Sequence, residues 1–204
     1  MNNMQDLVDY MVLRGVLHTS RIINAFWDID RKYFVPEQFA EHIYIDAPLP
    51  IGKNQTISQP STVAFMLEQL APKEGNDILD IGSGSGWTTS LLCHIVGQNG
   101  RVTGLERVDE LVEQGKKNLA QFNFGDHCNI QKAGKELGIP NQKFDRILVS
   151  ASADEIPTVL FDQLKIGGIL VVPVQNSIFR FEKISDDNIK RDEYKGFAFV
   201  PLIV

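Results

Sequence analysis

The residues best suited to do chemistry are grouped at Asp80-Ile81-Gly82-Ser83-Gly84-Ser85-Gly86 and, further on, at Glu106. Gly82, Gly84 and Gly86 permit a tight turn and let a ligand approach bare backbone. A turn of this kind opens onto a helix N-terminus, whose free N–H groups favour anionic or polar groups. Glu106 stands where a second strand should end, and an acid there accepts both hydroxyls of a ribose. The set points to a nucleoside cofactor. The dinucleotide fingerprint GxGxxG has its third glycine in sixth place. Trp87 occupies that place here, and the third glycine comes one residue earlier. Asp80 adds a carboxylate that suits an amino group or a positive sulfur and suits a pyrophosphate poorly. The expected cofactor is S-adenosyl-L-methionine, held by Asp80, Gly82, Ser83, Gly84, Gly86 and Glu106. The bland alternative is a glycine-rich connection with a capping acid.

The elements that must position these residues follow from hydrophobic spacing. Leu7, Val8, Met11 and Val12 mark a helix over 5–14. A second, capped by Thr19 or Ser20, runs through Ile22, Ile23, Ala25 and Phe26, with Phe26 and Trp27 read as core. Residues 31–60 are rich in proline, lack periodicity, and read as a loop packed by Tyr33, Phe34, Phe39 and Tyr44. A helix follows from Pro60 to Ala71. Strands are expected at 77–81, 101–106, 129–131, 144–149 and 169–174, then at 178–184 and 197–203. Helices are expected at 87–96, 109–121 and 156–164, and Gly167-Gly168 reads as a turn. Asp186 to Lys195 is a mixed-charge run and reads as a solvated hairpin or loop. Strands alternating with helices imply an α/β fold. The expectation is a Rossmann-like, doubly wound, mainly parallel seven-stranded sheet, with N-terminal helices and an active-site loop. One domain should span 1–204, with 1–60 carrying the helices and substrate loop and 61–204 the core.

Composition narrows the function classes. Of 204 residues, 43% are hydrophobic and 23% charged, enough apolar surface for a sizeable core. Twenty basic against 26 acidic residues leave a net charge of −6, which argues against a nucleic-acid partner. No apolar run reaches the length of a membrane-spanning helix, and the N-terminus lacks a signal-peptide pattern. Cys93 and Cys128 are far apart and outside any ligand spacing, so two buried thiols and a cytoplasmic location are expected. The four histidines are scattered, and no metal site is expected.

The segment Asp46-Ala47-Pro48-Leu49-Pro50-Ile51-Gly52-Lys53-Asn54-Gln55-Thr56-Ile57-Ser58-Gln59-Pro60 resembles the signature of protein-L-isoaspartate O-methyltransferases. Arg21 to Phe26, Tyr33-Phe34-Val35-Pro36, Asp80 to Gly86, Phe144-Asp145-Arg146-Ile147, Gln163-Leu164, Gly167 to Pro173 and Phe199-Val200-Pro201-Leu202 are similar to further motifs of that family, in the same order. The resemblance implies transfer of a methyl group from S-adenosyl-L-methionine to the free carboxylate of L-isoaspartyl or D-aspartyl residues in damaged peptides and proteins. It implies Ser58 as the active-site residue, orienting the substrate carboxylate, with Gln55, Thr56, Ile57 and Gln59 as its walls. Taken alone, Ser58 also reads as a helix cap before Pro60. A monomer is expected.

The pattern departs from the family in places. Ala133-Gly134-Lys135 stands where Gly-Asp-Gly is usual, so the resemblance implies Gly134 as a further cofactor-binding position, with the acid that reaches the adenine side missing there. Asn54 replaces a glycine, Trp87 is larger than the usual residue, and Ile29-Asp30-Arg31 stands for Val-Pro-Arg. The alternatives are a diverged relative methylating another substrate and a cofactor-binding relative without catalysis.

Overall fold

The computed structural model describes residues 1–203. The helices are α1 (Met4–Leu13), α2 (Ser20–Asp28), α3 (Pro60–Leu70), α4 (Trp87–Val96) and α5 (Asp109–Leu119). The strands are β1 (Leu49–Gly52), β2 (Gln55–Ile57), β3 (Asp77–Ile81), β4 (Arg101–Glu106), β5 (Cys128–Lys132), β6 (Phe144–Val149), β7 (Leu164–Val174), β8 (Ser177–Ser185) and β9 (Asn188–Lys195). Strands β3 to β9 form one sheet in the order β5-β4-β3-β6-β7-β8-β9. The first five are parallel, and β8 and β9 add antiparallel neighbours at one edge. The chain winds outward from β3 in both directions, so β3 and β6 flank the switch point where α/β sheets bind ligands.

Both faces of the parallel strands are covered, which is why these strands read as short, almost continuous apolar runs. Ile78 and Leu148 point into a cluster shared with α1 to α5. Leu79, Ile147 and Val149 point into a second cluster with Leu160, Leu164 and Leu170. Crossovers without α-helix cover that second face: residues 133–143, and a stretch whose only regular turn is the 3-10 helix Thr158–Leu160. The helix expected over 156–164 is therefore not formed. Leu164 already belongs to β7, which leaves room only for the single 3-10 turn Thr158–Leu160. Gly167-Gly168 is a bulge inside β7, where the pairing register with β6 shifts, and not a turn between elements.

The seventh strand is not the expected one. It is β9, the charged run, paired residue by residue with β8. An edge strand with both faces near solvent has no reason to be apolar, and charge protects it from pairing with other chains. The apolar run 197–203 instead folds back over the carboxyl ends of the central strands. Ser152 N–H donates to the Val200 carbonyl and Leu202 N–H to the Ser152 carbonyl, both at 2.8 Å. Phe197 stacks on Phe65 of α3.

Residues 31–60 are more ordered than their composition suggests. Two 3-10 helices lead into the β1–β2 hairpin, turned by Lys53 and Asn54, both at positive φ. A two-residue hairpin turn of this kind needs positive φ at both places, and asparagine tolerates it. The N-terminal helices are joined to the sheet core through Trp87, which is 2% exposed. Phe26 meets its ring edge-on at 5.6 Å, and its indole N–H donates to the Ile29 carbonyl. Trp27, expected in the core, is 45% exposed.

Cys93 on α4 and Cys128 on β5 are joined as a disulfide, which corrects the expectation of two thiols. Sequence distance hid the pairing: α4 packs across β4 and β5 and brings the two Cα atoms to 6.0 Å. A bridge closing a loop of 35 residues restricts the unfolded chain by about 2–4 kcal/mol. Reduction should therefore lower the urea midpoint without changing the folded far-UV spectrum. Equal midpoints with and without reductant would contradict the bridge.

Candidate active site

The glycine turn connects β3 to α4 and is held from three sides. Gly82, Gly84 and Gly86 all take positive φ, which a side chain would strain. The Leu105 carbonyl receives the N–H groups of Gly82 and Ser83. Glu106 reaches back across the sheet: one carboxylate oxygen accepts from Gly84 N–H at 2.8 Å, the other from Arg107 and Val108 N–H. Gly86 meets the body of the protein. A Cβ there would sit 3.0 Å from Ile130 and 3.2 Å from the Gly115 carbonyl. It is thus a glycine of close packing and lines none of the clefts described below.

Asp80 is fully buried and also lines none of them. Its carboxylate accepts from Thr88 (2.8 Å), Thr89 (2.7 Å) and Ser150 (3.2 Å). Burial pushes its pKa up, and these hydroxyls oppose that shift. Asp80 is placed to fix the first turn of α4 and the end of β6 beneath the glycine turn, and not to meet a ligand's amino group directly.

A cleft opens over the turn. Gly82 and Gly84 form one end, Glu106 and Arg107 the middle, and Ala133 with Glu136, Leu137 and Gly138 the far end. Ile51, Gln55 and Thr56 of the hairpin close one side, and Val200 to Ile203 close another. A smaller inner cleft continues past the turn between Ser58, Ser83, Ser85 and Ser150. The Ser83 hydroxyl is buried there with no partner among the described residues. A long ligand with a polar tail, a ribose and a base matches this order of walls, and the tail would satisfy Ser83.

The outer side of Ser58 faces a third cleft, bounded by Pro48, Thr56, Gln59, Thr62 and Ala198 to Val200. Ser58 and Thr56 are thus walls common to the inner cleft and the outer groove. Capping does not occupy Ser58. The N-cap of α3 is Gln59, and Asp46 serves the helix start instead, accepting from Ser61 N–H at 2.8 Å and Ser61 Oγ at 2.7 Å. The same carboxylate accepts from the Gln59 amide.

The loop that carries Ser58 is organised by Arg31, the residue that keeps the family's Arg where Ile29 and Asp30 depart from Val-Pro. Its side chain is 0% exposed. One guanidinium nitrogen donates to the carbonyls of Ile43 (2.7 Å) and Ile45 (3.2 Å), the other to Ala47 (2.9 Å) and Ser58 (3.1 Å). The group lies over the Trp87 ring at 5.4 Å. Burial lowers its pKa to about 10, and the nearby Asp46 acts against that.

Of the residues expected around a cofactor, Gly82, Ser83, Gly84 and Glu106 line the clefts, Asp80 and Gly86 stand behind them, and Gly134 is exposed and lines none. Gln55, Thr56, Ile57, Ser58 and Gln59 each line at least one. Arg107, Glu136 and Ser150 carry no motif signal of their own; Arg31 and Phe199 to Leu202 lie in family-like motifs, but only folding shows that they reach the site.

Replacing Arg31 by Met would leave four carbonyls without their donor. Unfolding free energy should fall by roughly 3 kcal/mol, and residues 43–58 should become sensitive to protease in the folded protein. Arg31→Lys keeps the charge without the fork and should fall between. A Met variant cleaved no faster than the parent would contradict the anchoring role.

Comparison with known proteins places this geometry. The family model described as protein-L-isoaspartate(D-aspartate) O-methyltransferase matches residues 2–204. Protein-L-isoaspartate O-methyltransferases from Methanopyrus kandleri and Staphylothermus marinus are 37% and 39% identical, covering 97% and 99% of this chain and 89% and 94% of their own. A crystal structure described as that enzyme from Plasmodium falciparum, in complex with S-adenosyl-L-homocysteine, superposes with a TM-score of 0.89 at 28% identity. It covers 100% of this chain and 99% of its own. The chain belongs to the protein-L-isoaspartate (D-aspartate) O-methyltransferase family.

Proposed function

We propose that this protein transfers the methyl group of S-adenosyl-L-methionine to the free carboxylate of L-isoaspartyl, and D-aspartyl, residues in damaged proteins, and so begins their repair. The observation that carries the reading is the place of Ser58, on the wall between the inner cleft over the glycine turn and the outer groove. A methyl group presented from one side and a carboxylate from the other would meet at that residue.

Gly82, Gly84 and Ser83 would hold the amino-acid end of the cofactor, and Glu106 its ribose. When bound, S-adenosylmethionine supplies an electrophilic methyl group on a positive sulfur that is already a good leaving group. A carboxylate with an unperturbed pKa near ~4 is an anion at neutral pH, so the substrate needs no general base. One substrate oxygen forms a bond to the methyl carbon as the carbon–sulfur bond breaks, and no proton moves. The protein's contribution is then orientation and exclusion of water. The Ser58 hydroxyl donates to the substrate carboxylate and aims it. Thr56 lies beside it, and Val200 closes the groove from the C-terminal run.

The residues of the outer groove carry no charge. Recognition therefore falls on the extra backbone methylene of the isoaspartyl link and not on flanking charged residues. The loss of the acid at Gly134 does not touch this groove, so isoaspartyl methylation is favoured over a diverged substrate. We read residues 1–204 as one domain acting as a monomer, without nucleic acid or membrane; the Cys93–Cys128 bridge removes the thiol argument for a cytoplasmic location. Among the described residues no helix is long and apolar enough to cross a membrane.

The test is methyl transfer from labelled cofactor to an isoaspartyl peptide and to its aspartyl twin. Base-labile methyl esters should form on the first only; equal labelling of both would refute the substrate. Ser58→Ala should lower kcat on the isoaspartyl peptide by about tenfold to a hundredfold and leave S-adenosylhomocysteine affinity within about twofold. A variant that loses cofactor binding instead would make Ser58 part of the cofactor site.

A further inference from the structure

The far end of the cofactor cleft carries a carboxylate that the family pattern does not place there. The cleft runs along the carboxyl ends of four neighbouring strands, β5, β4, β3 and β6. A nucleoside ligand with its tail at the turn after β3 and its ribose at Glu106, the end of β4, puts its base against the loop that follows β5. Glu106 is already engaged by three backbone N–H groups. Gly134 has no side chain and is not part of the wall; its carbonyl accepts from Arg107 at 2.9 Å. Two residues further on, Glu136 does line the cleft, together with Leu137 and Gly138.

This loop is held in place. The Gln163 side chain is buried, and its amide clamps the loop from beneath: the oxygen accepts from Ile139 N–H at 2.7 Å, the nitrogen donates to the Leu137 carbonyl at 2.9 Å. Gly138 sits on that clamp at positive φ, where a Cβ would come within 2.1 Å of the Gln163 oxygen. A side chain at 138 would displace that clamp, and the two hydrogen bonds tie the backbone at Leu137 and Ile139 to Gln163. Glu136 is thereby delivered to the cleft wall by a backbone fixed on its far side.

We infer that Glu136 is the residue that recognises the base of the cofactor, accepting a hydrogen bond from the exocyclic amino group of adenine. It takes over the work of the acid absent at Gly134. A carboxylate at this place selects a base with an amino donor and disfavours one with a carbonyl oxygen there, because two acceptors face each other. Leu137 supplies the apolar contact beside it. The inference rests on the cofactor reading given above and concerns affinity and base selectivity, not the chemical step.

Calorimetry on the whole chain with S-adenosylhomocysteine and S-inosylhomocysteine tests it. The parent protein should prefer the adenosyl form by at least about tenfold. Glu136→Ala should weaken the adenosyl form by about tenfold and shrink the preference to about twofold or less. Glu136→Gln, which keeps an acceptor oxygen, should stand between them. In methyl transfer, Glu136→Ala should raise the KM for S-adenosylmethionine and leave kcat unchanged at saturating cofactor. An alanine variant that keeps the full adenosyl preference would overturn the inference and leave the cofactor reading intact. A parent protein that binds neither compound would overturn both. Glu136 is exposed, so its replacement does not endanger folding.

Discussion

The guanidinium of Arg31 stands at the join between two very different parts of the molecule. On one side is a segment with little regular structure of its own; on the other is the Trp87 ring at the start of α4. Burying an arginine is expensive unless its donors are used. Here the two terminal nitrogens satisfy carbonyls at Ile43, Ile45, Ala47 and Ser58, spread over sixteen residues of chain, while the buried Nε has no partner among the described residues. A planar fork can hold several acceptors at fixed angles, and a lysine cannot. The position of Ser58 relative to the glycine turn therefore depends on a contact that involves neither substrate nor cofactor.

A similar division runs through the rest of the site. The residues at the centre of the clefts include a small set: Gly82, Ser83, Gly84, Thr56 and Ser58. They are held by larger charged or amide groups behind them. Asp80 fixes Thr88, Thr89 and Ser150; Asp46 fixes Ser61 and Gln59; Gln163 fixes the loop after β5. A reaction that needs no proton transfer leaves little for side chains to do at the reacting atoms. It asks instead that two ligands be held in line with water kept out, and a rigid shell under a smooth surface serves that end.

The sequence made the parallel strands legible, because strands buried on both faces must be short and apolar. The glycine turn was legible because tight turns leave few alternatives to glycine. Elements at the margin were not. The edge strand β9 is charged because it is exposed, and the apolar run 197–203 lines a cleft without joining the ladder. Asp80 was recognisable as a site residue, but its role was not. Only the fold shows three hydroxyls closing over its carboxylate. Arg31, Gln163 and the Cys93–Cys128 pair act across long sequence distances, and no local pattern marks such contacts.

The central claim is geometric: Ser58 marks the point where the carboxylate from the outer groove meets the methyl-bearing end of the cleft. The most direct measurement is a crystal structure of the protein with S-adenosylhomocysteine and an isoaspartyl peptide together. The account predicts the free carboxylate within hydrogen-bonding distance of Ser58 Oγ, the peptide between Gln59 and Val200, and the sulfur on the opposite side of Ser58. A peptide bound elsewhere, or a carboxylate turned away from Ser58 and the sulfur, would contradict it.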